Sequence, residues 1–155
     1  MHAPTQGLTR NAINATLHCL TGCAIGEVLG MVIATALGWG NTGSIVLSVA
    51  LAFLFGYSLT VRPVLRAGVP FRRAARVAVG SDTVSITTME IVDNRFILIV
   101  PGAMAAGLST GLFWWSLGVS LVIAFIVTVP VNRWLIARGL GHAAMHEYHG
   151  AAHTP

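Results

Sequence analysis

Four apolar segments, each of roughly twenty residues, constrain this chain more than any other feature of its sequence. They lie near residues 15–37, 42–61, 76–100 and 111–131. A helix needs about 20 mostly apolar residues to cross the hydrocarbon core of a bilayer. The sequence therefore predicts an all-α fold, an integral membrane four-helix bundle. The predicted parts are an N-terminal segment at 1–14, a four-span transmembrane domain at 15–137 and a His-rich tail at 138–155.

The composition supports a membrane protein. Of the 155 residues, 55% are hydrophobic and only 9% are charged. A soluble domain carries roughly 25% charged residues, so this chain could not cover a water-facing surface with polar groups. The lipid bilayer is the expected surrounding, and the inner (plasma) membrane is the expected location. The net charge of +4 comes from arginines beside apolar runs, which favours contacts with anionic lipid headgroups over nucleic acid.

The arginines also predict the orientation. All nine basic residues are arginines, and eight of them fall on one side of a four-span arrangement, with Arg95 as the exception. Cytoplasmic loops are enriched in Lys and Arg, so both termini are expected to be cytoplasmic. Trp39 and the pair Trp114–Trp115 mark the opposite interface, and Trp134 marks the cytoplasmic one, as in the aromatic belts of membrane proteins.

The acidic residues are concentrated where a membrane protein can least tolerate them. Four of the five lie inside predicted spans: Glu27 in the first, and Asp82, Glu90 and Asp93 in the third. An ionised side chain at the bilayer centre costs roughly 2.5–3.5 kcal/mol. At about 100° per residue, Asp82, Met89 and Asp93 share one stripe, which Glu90 flanks. The third span is expected to insert only if other helices or a cation receive these buried acids.

Sulfur and imidazole groups accompany the acids. Cys19, Cys23 and Glu27 succeed one another at four-residue spacing on the first span, with His18 next to Cys19. Because spans one and three run in the same direction, the sequence predicts Glu27 at the depth of Met89 and Glu90, and the two cysteines near the depth of Asp82. The predicted metal ligands are Cys19, Cys23, Glu27, Asp82, Met89, Glu90, Asp93, His18, His142, His146 and His149, the last three forming a cytoplasmic station on one face of the tail.

Gly22, Gly26 and Gly30 form a GxxxGxxxG motif on the first span. Small residues at this spacing let another helix approach closely. The motif indicates helix packing, and the third span is the expected partner, because its acids would then come within reach of Glu27.

Each of these features also has a purely structural interpretation. The cysteines can be small apolar fillers. The acids can be protonated, or held by internal hydrogen bonds, with Arg95 balancing one of them. The tail histidines can belong to a solvated amphipathic helix.

Several stretches resemble a known family. These are LHCLTGCAIGEVLGMVI, FGYSLTVRPVLRAG, DTVSITTMEIVDN and TVPVNRWLIARGLGHAAMHEYH, and they extend the resemblance over roughly residues 15–149. The family is a bacterial one whose domain has no assigned function, and the resemblance implies a small multi-span membrane protein.

The function expected from these residues is the binding of a transition metal within the membrane, for transport, sequestration or delivery. Soft sulfur ligands favour Cu(I), and a mixed set of Cys, His and carboxylate also suits Zn(II). A proton- or cation-coupled carrier that uses the buried carboxylates is the first alternative. A di-metal redox enzyme and a structural subunit are the others, and no catalytic residue is assigned. Four short helices make a thin bundle, so a homo-oligomer is expected.

Overall fold

Four long helices make up most of the structure. The computed structural model describes residues 3–138, so the tail with His142, His146 and His149 lies outside the described residues. The helices are α1 (Ala3–Ala36), α2 (Asn41–Arg66), α3 (Phe71–Ile99) and α4 (Gly111–Ala137), with a 3-10 turn at Ala103–Ala105. No β-strand occurs between residues 3 and 138. The predicted all-α fold is therefore confirmed.

The helices form a bundle in which chain neighbours are antiparallel. α1 packs beside α2 and α4, and α3 packs beside the same two helices. α1 and α3 therefore run in the same direction and meet across the middle of the bundle. The α1–α2 and α3–α4 connections lie at one end, which we call the arginine-poor end. The arginine-rich end carries Arg10, Arg62, Arg66, Arg72, Arg73, Arg76, Arg133 and Arg138.

Three helices, not four, are apolar enough to cross a membrane. They are α1 from Gly7 to Ala36, α2 and α4, judged by length and hydropathy. α3 has comparable length but carries three acids and four arginines. Its charge content separates it from the other three, so by apolar character the prediction of four spans is confirmed only for α1, α2 and α4.

The bundle is polar or small inside and apolar outside. The buried residues of α2 and α4 recur every four residues and are Ser48, Ala52, Gly56, Thr60 and Val64, and Ser116, Ser120, Ala124, Thr128 and Asn132 among others. Large apolar side chains such as Val46, Leu54 and Ile126 are instead more than half exposed. This distribution suits lipid, which solvates apolar groups and leaves polar groups to find partners inside the bundle.

Tryptophans mark both ends of the bundle. Trp39 and Trp114 are half exposed near the arginine-poor end, and Trp134 is half exposed near the arginine-rich end. The guanidinium carbon of Arg138 lies 4.4 Å from the centroid of the Trp134 ring, within the range of a cation–π interaction. Aromatic and basic side chains arranged in this way are typical of membrane interfaces.

The glycine motif packs against α2, not α3 as the sequence predicted. A Cβ atom at Gly22 would lie 2.7 Å from Cα of Gly56, and one at Gly26 would collide with the backbone of Ala52. Gly30 meets Ser48 in the same way. The physical reason is that α2 offers its own stripe of small residues with matching spacing, whereas the side chains with which α3 meets α1 include the larger Met89 and Asp93.

The turns after α1 and α2 each depend on a glycine. Gly38 has φ of +67° and Gly68 has φ of +82°, a left-handed conformation that other residues adopt at a cost. These residues end their helices and reverse the chain, which sets the antiparallel order of the bundle.

Replacing one motif glycine tests the close approach of α1 and α2. We expect Gly26→Ala to lower the free energy of unfolding by about 1–3 kcal/mol, because the added methyl overpacks the contact with Ala52. Gly118→Ala is the matched control, since Gly118 is exposed with open space around its Cα. Alanine there should be neutral or stabilise by up to about 1 kcal/mol. Thermal unfolding in detergent micelles measures both, and equal midpoints would contradict the packing.

Candidate functional site

α1 and α3 meet in a constant register across the bundle. The Cys23 thiol sulfur lies 4.0 Å from the Met89 sulfur, two residues 66 apart in the chain. The same sequence separation of 66 residues relates Cys19 to Ser85 and Glu27 to Asp93. The side chains within each of these two pairs also interact. The sequence predicted Glu27 at the depth of Met89 and Glu90. In the structure Glu27 pairs with Asp93, about one helical turn farther along α3. Hydropathy locates the middle of a span only loosely, and side-chain packing decides the axial offset.

Three carboxyl groups come together at this contact. Glu27, Glu90 and Asp93, which we call the carboxylate cluster, are 7%, 6% and 2% exposed. The Ser120 hydroxyl of α4 donates a hydrogen bond to Oδ1 of Asp93. The Asn94 amide donates to Oε2 of Glu90 at 3.4 Å. Three helices therefore contribute groups to one buried polar site.

The cluster is incompletely hydrogen-bonded. Oε2 of Glu27 and Oε1 of Glu90 are buried and have no hydrogen-bond partner among the described residues. In native structures nearly all buried polar groups are paired, and an exception calls for an explanation. A ligand or ion that supplies positive charge or N–H donors is such an explanation.

No arginine balances these carboxyl groups in the described part of the chain. The interactions of Glu27 and Glu90 are with Asp93, with each other, with Cys23 and with Asn94. Arg95, which in the structural interpretation balances one of the acids, is exposed on α3. Carboxylates held side by side repel each other, and a shared proton or a bound cation relieves that repulsion.

A cavity leads to the carboxylate cluster from the arginine-poor end. It encloses about 80 Å³, enough for several water molecules or one small ligand. Asn41 at the start of α2 and Met104 in the α3–α4 connection line its outer part, and the three acids line its inner part. The site is therefore placed where a solute from the arginine-poor side could reach it.

A second polar group of residues lies toward the arginine-rich end. The Asn132 amide of α4 donates to the Thr16 hydroxyl at 2.9 Å and to the Ser85 hydroxyl at 3.0 Å. The Ser81 hydroxyl donates to Oδ1 of Asp82 at 2.9 Å. These residues, with Cys19 beside Ser85 and Asp82, form what we call the central polar network.

The structure separates the predicted ligands into groups. Cys23, Glu27, Met89, Glu90 and Asp93 meet at the carboxylate cluster, while Cys19 and Asp82 belong to the central polar network. His18 is exposed on α1. Within the described residues, no three or more His, Cys, Asp or Glu side chains, including those of the carboxylate cluster, are arranged so that they could hold a metal ion.

Sequence reasoning missed the polar residues that α4 supplies. Ser120 and Asn132 were not singled out, because each looks unremarkable in an apolar span. Their signal is the four-residue spacing of small and polar residues from Ser116 to Asn132, which marks the buried face of an otherwise apolar helix.

The fold and the site define an all-α membrane protein that keeps a carboxylate cluster inside its helical bundle. Residues 9–141 match the model of a domain of unknown function, DUF4396. The chain belongs to this family, which agrees with the resemblance of its motifs to a family whose domain has no assigned function. No curated protein and no solved structure matches the chain.

Removing the Asn132 amide tests the central polar network. We expect Asn132→Leu to lower the free energy of unfolding by about 1–3 kcal/mol, because two buried hydroxyls lose their donor. Asn14→Leu is the matched control, since Asn14 is exposed on α1 and a surface change costs less than about 0.5 kcal/mol. Thermal unfolding in the same detergent compares the two variants. Equal stability would mean that the network contributes nothing measurable.

Proposed function

We propose that this protein is a membrane carrier that binds protons or another cation at the carboxylate cluster. The observation that carries the proposal is the contact between Glu27 of α1 and Asp93 of α3, buried together and without an arginine. Ionisable residues inside membrane spans commonly belong to ion pathways and proton relays. A pair of carboxylates can bind a cation and release it again, so the site can alternate between a loaded and an empty state.

Polar groups on both sides of the cluster support a route through the bundle. The cavity reaches the acids from the arginine-poor end. On the other side, Ser85 and Asn132 continue the line of polar groups, and Asp82 lies one turn farther. A cation or proton leaving the cluster toward the arginine-rich end would meet these oxygens before the membrane surface.

The proposed topology has α3 as a fourth span. Its length matches that of its neighbours, and its acids point into the bundle, where α1 and α4 cover them. The arginine-rich end is then cytoplasmic by the usual bias of basic residues. This arrangement places both termini in the cytoplasm and the cavity mouth on the outer face of the plasma membrane.

Transition-metal binding is a second candidate, and the sulfur pair favours it. Two sulfur ligands with bonds of about 2.3 Å to one ion lie roughly 4 Å apart, which is near the 4.0 Å between Cys23 and Met89. Glu90 and Glu27 lie beside the Cys23 thiol. A thiolate, a thioether and carboxylates suit Cu(I) or Zn(II).

Flux measurements in proteoliposomes test the carrier. We expect Glu27→Gln to reduce proton or sodium flux at least about tenfold, because the pair loses the charge that holds the cation. The control is the double variant Cys19→Ala with Cys23→Ala, which leaves all three carboxyls in place and should retain the flux. Wild-type flux in Glu27→Gln would contradict the carrier, and loss of flux in the cysteine variant would favour the metal candidate.

Metal analysis of untagged protein tests the second candidate. If Cys23 and Met89 hold an ion, purified wild type contains about one copper or zinc per chain, and Cys23→Ser and Glu27→Gln lose most of it, since each removes a ligand. The exposed His18 offers a control, because His18→Ala should not change the metal content. Equal and negligible metal in all forms would count against a transition-metal site.

A further inference from the structure

The cavity that leads to the carboxylate cluster is lined by acidic residues at its inner end and mainly by apolar residues elsewhere. Its inner end carries the three acids, and most of the remaining wall is apolar, including Met31, Ile97, Phe113 and Leu117. A site with one charged end and an apolar body is typical of pockets for small organic molecules. We propose that this cavity binds a small organic cation, an ammonium group with a short apolar chain; the inference rests on the proposed cation site and names its ligand class.

The orientation of the ligand follows from the unpaired oxygens. Glu27 and Glu90 are more than nine-tenths buried, and both line the cavity. Oε2 of Glu27 and Oε1 of Glu90 have no hydrogen-bond partner among the described residues. An ammonium group has three N–H donors and a positive charge, so it satisfies both oxygens at once with charge-assisted hydrogen bonds.

The apolar wall favours this ligand over a bare inorganic ion. Calcium and magnesium take six or more oxygen ligands, or keep their waters. Beyond the three acids, the cavity is lined by apolar side chains such as Met31, Ile97 and Phe113, and its remaining polar groups are uncharged hydroxyls and amides. A short alkyl chain loses its contact with water there and gains contact with these side chains.

The cavity volume limits the length of the ligand. A space of about 80 Å³ is roughly half of the 150 Å³ that accommodates benzene in an engineered protein cavity. n-Butylammonium is close to benzene in size, so its ammonium group and first carbon atoms would occupy this space and the end of its chain would extend toward the cavity mouth at the arginine-poor end. It is charged at neutral pH like the lysine side chain. The uncharged n-butanol has a similar shape and serves as the comparison ligand.

Calorimetric titration of the full chain in detergent tests the proposal. We expect n-butylammonium to bind, and n-butanol to bind at least about tenfold more weakly, because it lacks the charge that meets the carboxylates. Glu90→Gln should weaken n-butylammonium binding by about tenfold or more for the same reason. Equal binding of the two compounds, or no binding of either, overturns the proposal.

Substitutions at two neighbouring residues test whether the ligand occupies the cavity, without changing the charge of the carboxyl groups. Met31→Trp fills the apolar wall and leaves every carboxyl in place, so n-butylammonium binding should fall about tenfold or more. Val32→Trp is the matched control, since Val32 is exposed on the outer surface of α1, and it should bind as wild type does. If Met31→Trp also binds as wild type does, the ligand lies outside this cavity and the proposal fails.

Failure of the proposed ligand class can be distinguished from failure of the proposed carrier function. If sodium or proton flux depends on Glu27 while n-butylammonium neither binds nor inhibits that flux, the carrier stands and the ligand class is wrong. If n-butylammonium binds through Glu90 and Met31 while flux is the same in Glu27→Gln, the ligand class stands and the carrier is wrong.

Discussion

The close approach of α1 and α2 is the constraint on which the rest of the structure depends. Gly22, Gly26 and Gly30 meet a stripe of small residues on α2, with no room for a Cβ atom between the two backbones. Because this glycine face is fixed against α2, the adjacent face of α1 is fixed toward α3. That adjacent face carries Cys23 and Glu27. The glycines therefore position the carboxylate cluster without belonging to it.

The two buried polar regions differ in the chemistry of their hydrogen bonds, and the proposed cation site rests on this difference. In the central polar network, Asn132 bridges hydroxyls from α1 and α3, so its hydrogen bonds tie three helices together. In the carboxylate cluster, oxygens of Glu27 and Glu90 have no partner among the described residues. An unpaired polar group in an apolar surrounding is costly. The first region holds helices together, and the second is where we propose that a cation binds.

The sequence predicted which residues are buried but not which buried residues pair between helices. The stripe of Asp82, Met89 and Asp93 on α3 and the buried character of Glu27 followed from spacing and hydropathy, and all four residues are buried. The pairing of Glu27 with Asp93 did not follow, because the axial offset between two helices depends on how their side chains interlock. The partner of the glycine motif was wrong for a related reason, since a motif shows that a helix is approached closely but not by which one.

The sequence by itself determined that this chain is helical, apolar on the outside and charged at one end, because these properties follow from residue spacing and from the free energy of placing each residue in lipid or water. It also determined which side chains are available for chemistry. Only the tertiary structure decided which of them meet, placing Ser120 on Asp93, leaving His18 exposed on the surface and opening a cavity onto two unpaired carboxyl oxygens. The physical reason is that a contact between helices depends on rotation, axial offset and distance together, and close packing of small residues sets all three only when the whole bundle has assembled.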